Sequence, residues 1–258
     1  ASPVSNPPKP LLDLTAVVMQ FGALRAVDVA AMSIAIGERR AVIGPNGAGK
    51  TTLFNTITGV LRPTSGRIAF DGHDITRQLP HRRAKLGIAR TFQITNLFPT
   101  LSVMDNMKLA LRGLKPRKFS MFGDGALTAE ERSIAEHALG MTRLGERQSA
   151  IVRDMSYGEQ RQLELAMALS SIPRLLLLDE PAAGLSPAER TIVAEIVRSL
   201  PRDITVVLIE HDMDLALGLV DYVTCMYEGR VLVEASPAEI RSNATVQDVY
   251  LGKARHHA

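Results

Sequence analysis

Tryptophan is absent from this chain of 258 residues, cysteine occurs once, and aromatic residues make up only 4% of it. Each scarcity excludes a class of protein. With Cys225 alone there is no intramolecular disulfide framework and no cysteine-rich zinc module, which fits a reducing cytosol. The few aromatics do not interleave with basic residues as single-stranded nucleic-acid binding requires, and no nucleic-acid partner is expected. No apolar run reaches the roughly 18 residues of a membrane-spanning helix, and the polar start ASPVSNPPKP lacks signal-peptide character. A dominant charge is missing too, since 30 Lys+Arg against 27 Asp+Glu leave a formal net charge of +3. The basic clusters RQLPHRRAKLGIAR and LRGLKPRK are read as solvated faces or protein contacts.

What the chain has is apolar material, 46% of its residues, enough for one large α/β domain or a domain with a small insert. Three runs, RRAVIG from Arg39, RLLLLDE from Arg174 and DITVVLIEH from Asp203, are apolar without alternation. Strands buried on both faces of a parallel sheet read this way. Helical patterns follow the first two: KTTLFNTITGVL, then SPAERTIVAEIVRSL, which opens on Ser186 with Pro187 at the first helical position and Glu189 beyond. This order predicts a doubly wound core. LLDLTAVVMQFG and SGRIAFDGHDI alternate instead, like strands of a small antiparallel sheet. From about Ile94 to Asp154 the pattern is helical, with a capping box at Thr128 and Glu131, and reads as an insert.

GPNGAGKT, Gly44 to Thr51, matches the phosphate-loop pattern at every specified position and lies between a buried strand and a helix. Gly44, Gly47 and Gly49 let the backbone curl so that N–H groups and the helix N-terminus face phosphates. Pro45, Asn46, Ala48 and Thr52 complete the nucleotide-binding set. Lys50 is placed to reach the β- and γ-phosphates and Thr51 to set its hydroxyl on Mg²⁺. LLLLDEP adds the acidic groups: Asp179 to hold Mg²⁺ through water, Glu180 to polarise the attacking water. His211, ending the third strand, approaches the γ-phosphate from the same sheet edge. DMSYGEQ admits two readings, a helix start capped by Ser156 and Glu159 or half of a nucleotide site.

Taken in order, Phe21 in QFG, GPNGAGKT, Gln93 in RTFQ, MSYGEQ, LLLLDEP, the loop AAGLS and His211 resemble the ATP-binding subunits of ABC transporters over nearly the whole chain. The resemblance implies an ATPase whose site forms only when the phosphate loop of one subunit and the signature loop of another sandwich ATP. It implies that Phe21 stacks on adenine, although Phe21 taken alone reads rather as an edge-strand core residue. Gln93 is implied to sense Mg²⁺ and the membrane partner, Ser156 and Gly158 to bind the γ-phosphate across the interface, and His211 to contact it within its own subunit. Met155, Tyr157 and Glu159 depart from the usual leucine, glycine and glutamine; Met167 and Ser186 stand where arginine and aspartate or asparagine are common. SYGEQRQLE, LFPTLSVMDNM, EHDMDLALGLVDYV and the tail SPAEIRSNATVQDVYLG resemble ATPases of branched-chain amino-acid uptake. Relatives carrying urea, short amides or aromatic acids have similar ATPases, and a short capped surface helix accounts equally for the tail.

The fold expected is therefore an α/β P-loop NTPase (RecA-like) core with a small antiparallel β subdomain and an inserted α-helical subdomain. Its boundaries are read as a disordered N-terminal segment 1–10, core 11–93, helical subdomain 94–155, core again 156–235 and a helical tail 236–258. The expected partners are a membrane permease, a second ATPase subunit (identical or paralogous) and, indirectly, an extracytoplasmic substrate-binding protein. The place is the cytoplasmic face of the membrane. The segment Gln93 to Asn106 would grip the permease, unless its apolar residues only fill the subdomain core. A soluble ABC ATPase working on DNA, ribosomes or cluster assembly is the alternative, but this chain has no fused second ATPase domain, long coiled coil or zinc insertion.

Overall fold

The computed structural model describes residues 10–91, 97–113 and 126–251. Most of the expected disordered segment, LRGLKPRK beyond Gly113, and Gln93 lie outside them. In chain order the elements are β1 (Pro10–Phe21), β2 (Leu24–Ala35), β3 (Arg39–Ile43), α1 (Lys50–Thr58), β4 (Ser65–Phe70), β5 (His73–Asp74) and α2 (Pro80–Lys85). There follow β6 (Ile88–Arg90), α3 (Val103–Gly113), α4 (Ala129–Met141), α5 (Tyr157–Leu169), β7 (Leu175–Asp179) and α6 (Pro187–Ser199). The chain then returns through β8 (Thr205–Ile209), α7 (Met213–Leu219), β9 (Tyr222–Tyr227), β10 (Arg230–Ala235), α8 (Pro237–Ser242) and α9 (Ala244–Leu251). They form two compact units, one of Ala1–Arg83 with Arg202–Ala258, the other of Ala84–Pro201.

In the first unit, β2, β1, β4 and β5 form an antiparallel sheet in that order. Leu12 and Leu14 of β1 are buried on even positions, but Val17 and Met19 on odd ones. The switch is a bulge at Ala16, which has φ 49° and coincides with a register shift against β4. Gly66 allows it, since a Cβ there would lie 2.1 Å from the Ala16 carbonyl oxygen. β2 was not foreseen because Ala30 and Ala31 blur its alternation, yet Val27, Val29, Met32 and Ile34 are all buried. The same unit contains β3 flanked by two parallel neighbours, β8 (Val42 opposite Ile209) and β9 (Ile43 opposite Cys225). β3 and β8 are buried along their whole length, as their unbroken apolar runs predict. β10 closes on β9 in antiparallel fashion. Arg40, almost fully buried, ties these layers by donating to Glu38, Glu234, Thr224 and the Ser33 carbonyl.

Arg83 corrects the reading of its basic cluster as a solvated face. Its guanidinium is 1% exposed and donates to the carbonyls of Thr56, Ile57, Thr76 and Gln78. Thr56 and Ile57 lie in the last turn of α1, so the arginine supplies donors and positive charge where a helix end has neither. Burial pushes its pKa down to about 10, against a pull from Asp74, and it stays cationic at neutral pH. Arg83→Met, which keeps the bulk and removes all four of these hydrogen bonds, is expected to cost roughly 2 to 4 kcal/mol. Urea unfolding should show a lower midpoint with an unchanged slope.

In the second unit β6 and β7 pair in parallel, Ile88 opposite Leu175 through Arg90 opposite Leu177. Thr128, Ser156 and Ser186 each form a reciprocal capping box at the start of α4, α5 and α6, as Ser236 does for α8 in the first unit. The same spacing at Ser133 falls inside α4, which Thr128 has already begun. Asn106 on α3 is fully buried and pins the segment before its helix, accepting from the Phe98 N–H and donating to the carbonyls of Phe98 and Ser102. Phe98 itself is half exposed.

Candidate active site

The phosphate loop runs from the end of β3 into α1. Gly44 has φ 149° and a Cβ there would lie 2.2 Å from the Met226 carbonyl oxygen; at Gly49, with φ 96°, it would lie 2.2 Å from that of Ala26. Neither position accepts another residue. The Ala48 N–H donates to the Pro45 carbonyl (3.1 Å), Asn46 and Gly47 are exposed, and Gly49 begins α1 without any side-chain cap. No acidic residue occupies the first turn of α1. Its N-terminal N–H groups and positive dipole end thus suit an anion. Lys50 is buried and its Nζ donates to the carbonyls of Gly44 (2.7 Å) and Pro45 (3.1 Å), curled over the loop it serves. Thr51 is exposed and Thr52 half-buried. The Gly44 N–H donates to the Tyr250 hydroxyl on α9 at 2.6 Å. Burial pushes that phenol up to about 12. Cys225, on β9 opposite Ile43, is fully buried, and burial raises its thiol to about 11 although Lys50 pulls it down.

Phe21 ends β1 beside the hairpin turn, with 48% of its surface exposed. In the edge-strand reading it would have been buried. At the end of β8, Glu210 is buried and accepts from the His211 N–H (3.2 Å); His211 is exposed, and Asp212 caps α7.

In the second unit, Asp179 closes β7 with 1% exposure. Arg90 Nη2 donates to its Oδ2 at 2.5 Å, while its Oδ1 is buried without a hydrogen-bond partner among the described residues. Glu180 follows at φ 49°, a left-handed conformation that costs a non-glycine residue roughly 1 to 2 kcal/mol. Such strain concentrates at functional sites. Ser156 caps α5, and the Gly158 N–H donates to Glu189 Oε1 at 2.9 Å. The carboxyl of Glu189 is held down to about 2, first by the Ser186 hydroxyl, then by the N–H groups of Ser186 and Gly158. Tyr157 accepts Arg161 Nη2 on its hydroxyl (2.7 Å), and a Cβ on Gly184 in the AAGLS loop would lie 3.2 Å from its ring.

Residues 27–183 match the family model described as ABC transporter, and residues 230–256 the one described as Branched-chain amino acid ATP-binding cassette transporter. The chain belongs to the ABC transporter ATPases. This ABC ATPase is 36% identical over 253 residues to the high-affinity branched-chain amino acid transport ATP-binding proteins BraF of Pseudomonas aeruginosa and LivG of Escherichia coli, alignments covering 95% of it and 99% of each relative. Among solved structures it is similar to an ABC transporter ATP-binding cassette in the ADP conformation (TM-score 0.84, 28% identity, 94% of this chain and 99% of that one). A nucleotide-free cassette gives a TM-score of 0.82 at 27% identity, over 93% and 98% of the two chains. The fold is the P-loop NTPase core with antiparallel β and helical subdomains that the motifs predicted, and the activity is ATP hydrolysis coupled to transport.

Three side chains that bond candidate site residues of this ABC ATPase went unread in the sequence. Arg90 stands three places before Gln93 with nothing local to mark it as the partner of Asp179. Glu189 was visible only as the cap partner of Ser186, and its second bond, to Gly158, spans 31 residues. Tyr250 bonds Gly44 across 206 residues.

Proposed function

We propose that this ABC ATPase energises uptake of branched-chain amino acids, or related small amides or acids, through a membrane permease. The observation that carries the substrate class is the match of its tail, residues 230–256, to the branched-chain family, alongside relatives of the same length with that role. It works paired with a second ABC ATPase subunit, identical or paralogous, on the cytoplasmic face of the membrane, and an extracytoplasmic binding protein delivers the substrate. Among the described residues no helix is long and apolar enough to cross a membrane.

The phosphate loop, from Gly44 to Thr52, binds the ATP phosphates through its N–H groups and the dipole of α1, with Lys50 turning from its two carbonyls to the β- and γ-oxygens. Phe21 stacks on adenine, a contact worth roughly 1 to 3 kcal/mol. By the family resemblance, the groups that would hold Mg²⁺ are the hydroxyl of Thr51, which is exposed, Asp179, whose Oδ1 has no hydrogen-bond partner among the described residues, and Gln93, which lies outside the described residues. When bound, the ion neutralises charge on the phosphate oxygens. Glu180 polarises the attacking water and His211 contacts the γ-phosphate. On closure, Ser156 and Gly158 of the opposing subunit bind that phosphate. Glu189 then releases the Gly158 N–H, so one anion replaces another on a donor at a helix start.

Phe98, held outward by the Asn106 bonds, is the side chain proposed to enter the permease. Purification of the tagged chain from membranes should recover a multi-spanning permease, and leucine with its binding protein should stimulate the ATPase of that complex. Free leucine should leave the isolated chain unaffected. Phe98→Ser should lower permease recovery about tenfold, since burying a phenylalanine contributes about 1.5 to 3 kcal/mol and tenfold is 1.4. Recovery of a DNA or ribosomal complex instead would remove the transport reading.

A further inference from the structure

The parallel ladders around β3 end at Val42 opposite Ile209 and Ile43 opposite Cys225, one residue short of the phosphate loop. Gly44 is buried, and a buried N–H left without an acceptor costs about as much as a lost hydrogen bond. The acceptor is a side chain from the far end of the chain, the Tyr250 hydroxyl at 2.6 Å. Two short helices hold it there. Ile240 of α8 and Val246 of α9 are buried, and the Asn243 side chain between them accepts the Val246 N–H. The other polar group of the same glycine, its carbonyl, accepts Lys50 Nζ at 2.7 Å. Gly44 therefore has the tyrosine on one side and the phosphate-binding lysine on the other. The Met226 carbonyl packs close against it, since a Cβ at this glycine would lie 2.2 Å from that oxygen.

We infer that Tyr250 is a positioning residue of the ATP site, fixing Gly44 and through it the carbonyl on which Lys50 rests, so that the C-terminal helices set nucleotide affinity. By linkage, bound nucleotide in turn steadies α9. The inference rests on the nucleotide role of the phosphate loop, which ATP binding by the unaltered chain tests separately.

The experiment compares the full-length chain with Tyr250→Phe, which keeps the ring and removes only the acceptor. Steady-state ATPase kinetics, hydrogen exchange at the Gly44 amide and melting temperature are measured on both. The variant should raise KM for ATP about three- to tenfold, as loss of one hydrogen bond to a buried amide does, with kcat within about twofold. Exchange at Gly44 should quicken while that of β9 stays as it was. An unchanged KM overturns the inference whatever the amide does. A uniform rise in exchange with a lowered melting temperature assigns Tyr250 to packing alone and overturns it equally.

Discussion

Glu180→Gln should reduce ATP turnover by roughly 10²- to 10⁴-fold, the contribution of a positioned general base, while nucleotide still binds. The substitution is nearly isosteric, and glutamine tolerates the left-handed backbone at this position about as well as glutamate, so β7 and its turn are preserved. In the proposed function binding belongs to the phosphate loop and Phe21, where nothing is substituted. With hydrolysis blocked and binding intact, the closed pair should accumulate in ATP and not in ADP. Light scattering on a sizing column reads this directly. A variant that hydrolyses at the normal rate would take Glu180 out of the reaction.

Ser156→Arg should abolish ATP-driven pairing yet leave nucleotide binding by the single chain near its original strength. Two effects of the change must be separated. Losing the cap of α5 costs about 1 kcal/mol, and Ser156→Ala loses it equally. Only arginine adds a long side chain at the place where the γ-phosphate of the opposing subunit would dock. Alanine should weaken pairing modestly, and arginine should remove it. If the arginine variant still pairs in ATP, the helix start is no more than a helix start.

Much of the fold was legible because burial on both faces erases alternation. β3, β7 and β8 show it, five buried residues each, and each was an unbroken apolar run in the chain. Caps were legible too, since Ser186, Pro187 and Glu189 act within one turn of α6. β2 was not, because two adjacent alanines hide its period. The burial of Arg83 is not legible because a basic cluster read as solvated faces or protein contacts carries no mark of which member turns inward to the end of α1. Candidate site residues could be named where the chemistry expected of them is local, from Gly44 to Thr52 and at Asp179 and Glu180. Their bonding partners could not be named where these arrive from a distant segment, as Arg90, Glu189 and Tyr250 do. Spacing rules describe neighbours along a helix or strand, and none of these three contacts is between neighbours.

The lone cysteine has a practical consequence. Cys225 is fully buried, with a thiol pushed up to about 11. At pH 7 only about one such thiol in ten thousand is ionised, so maleimides and spin-label reagents should pass it by. The natural chain is thus its own cysteine-silent background. A thiol placed at the outward-held position of Phe98, or on the surface of α5, would be the sole reactive point on the molecule. Distances between two such labels in a pair of subunits would then report opening and closing directly, with every native side chain of the nucleotide site left in place.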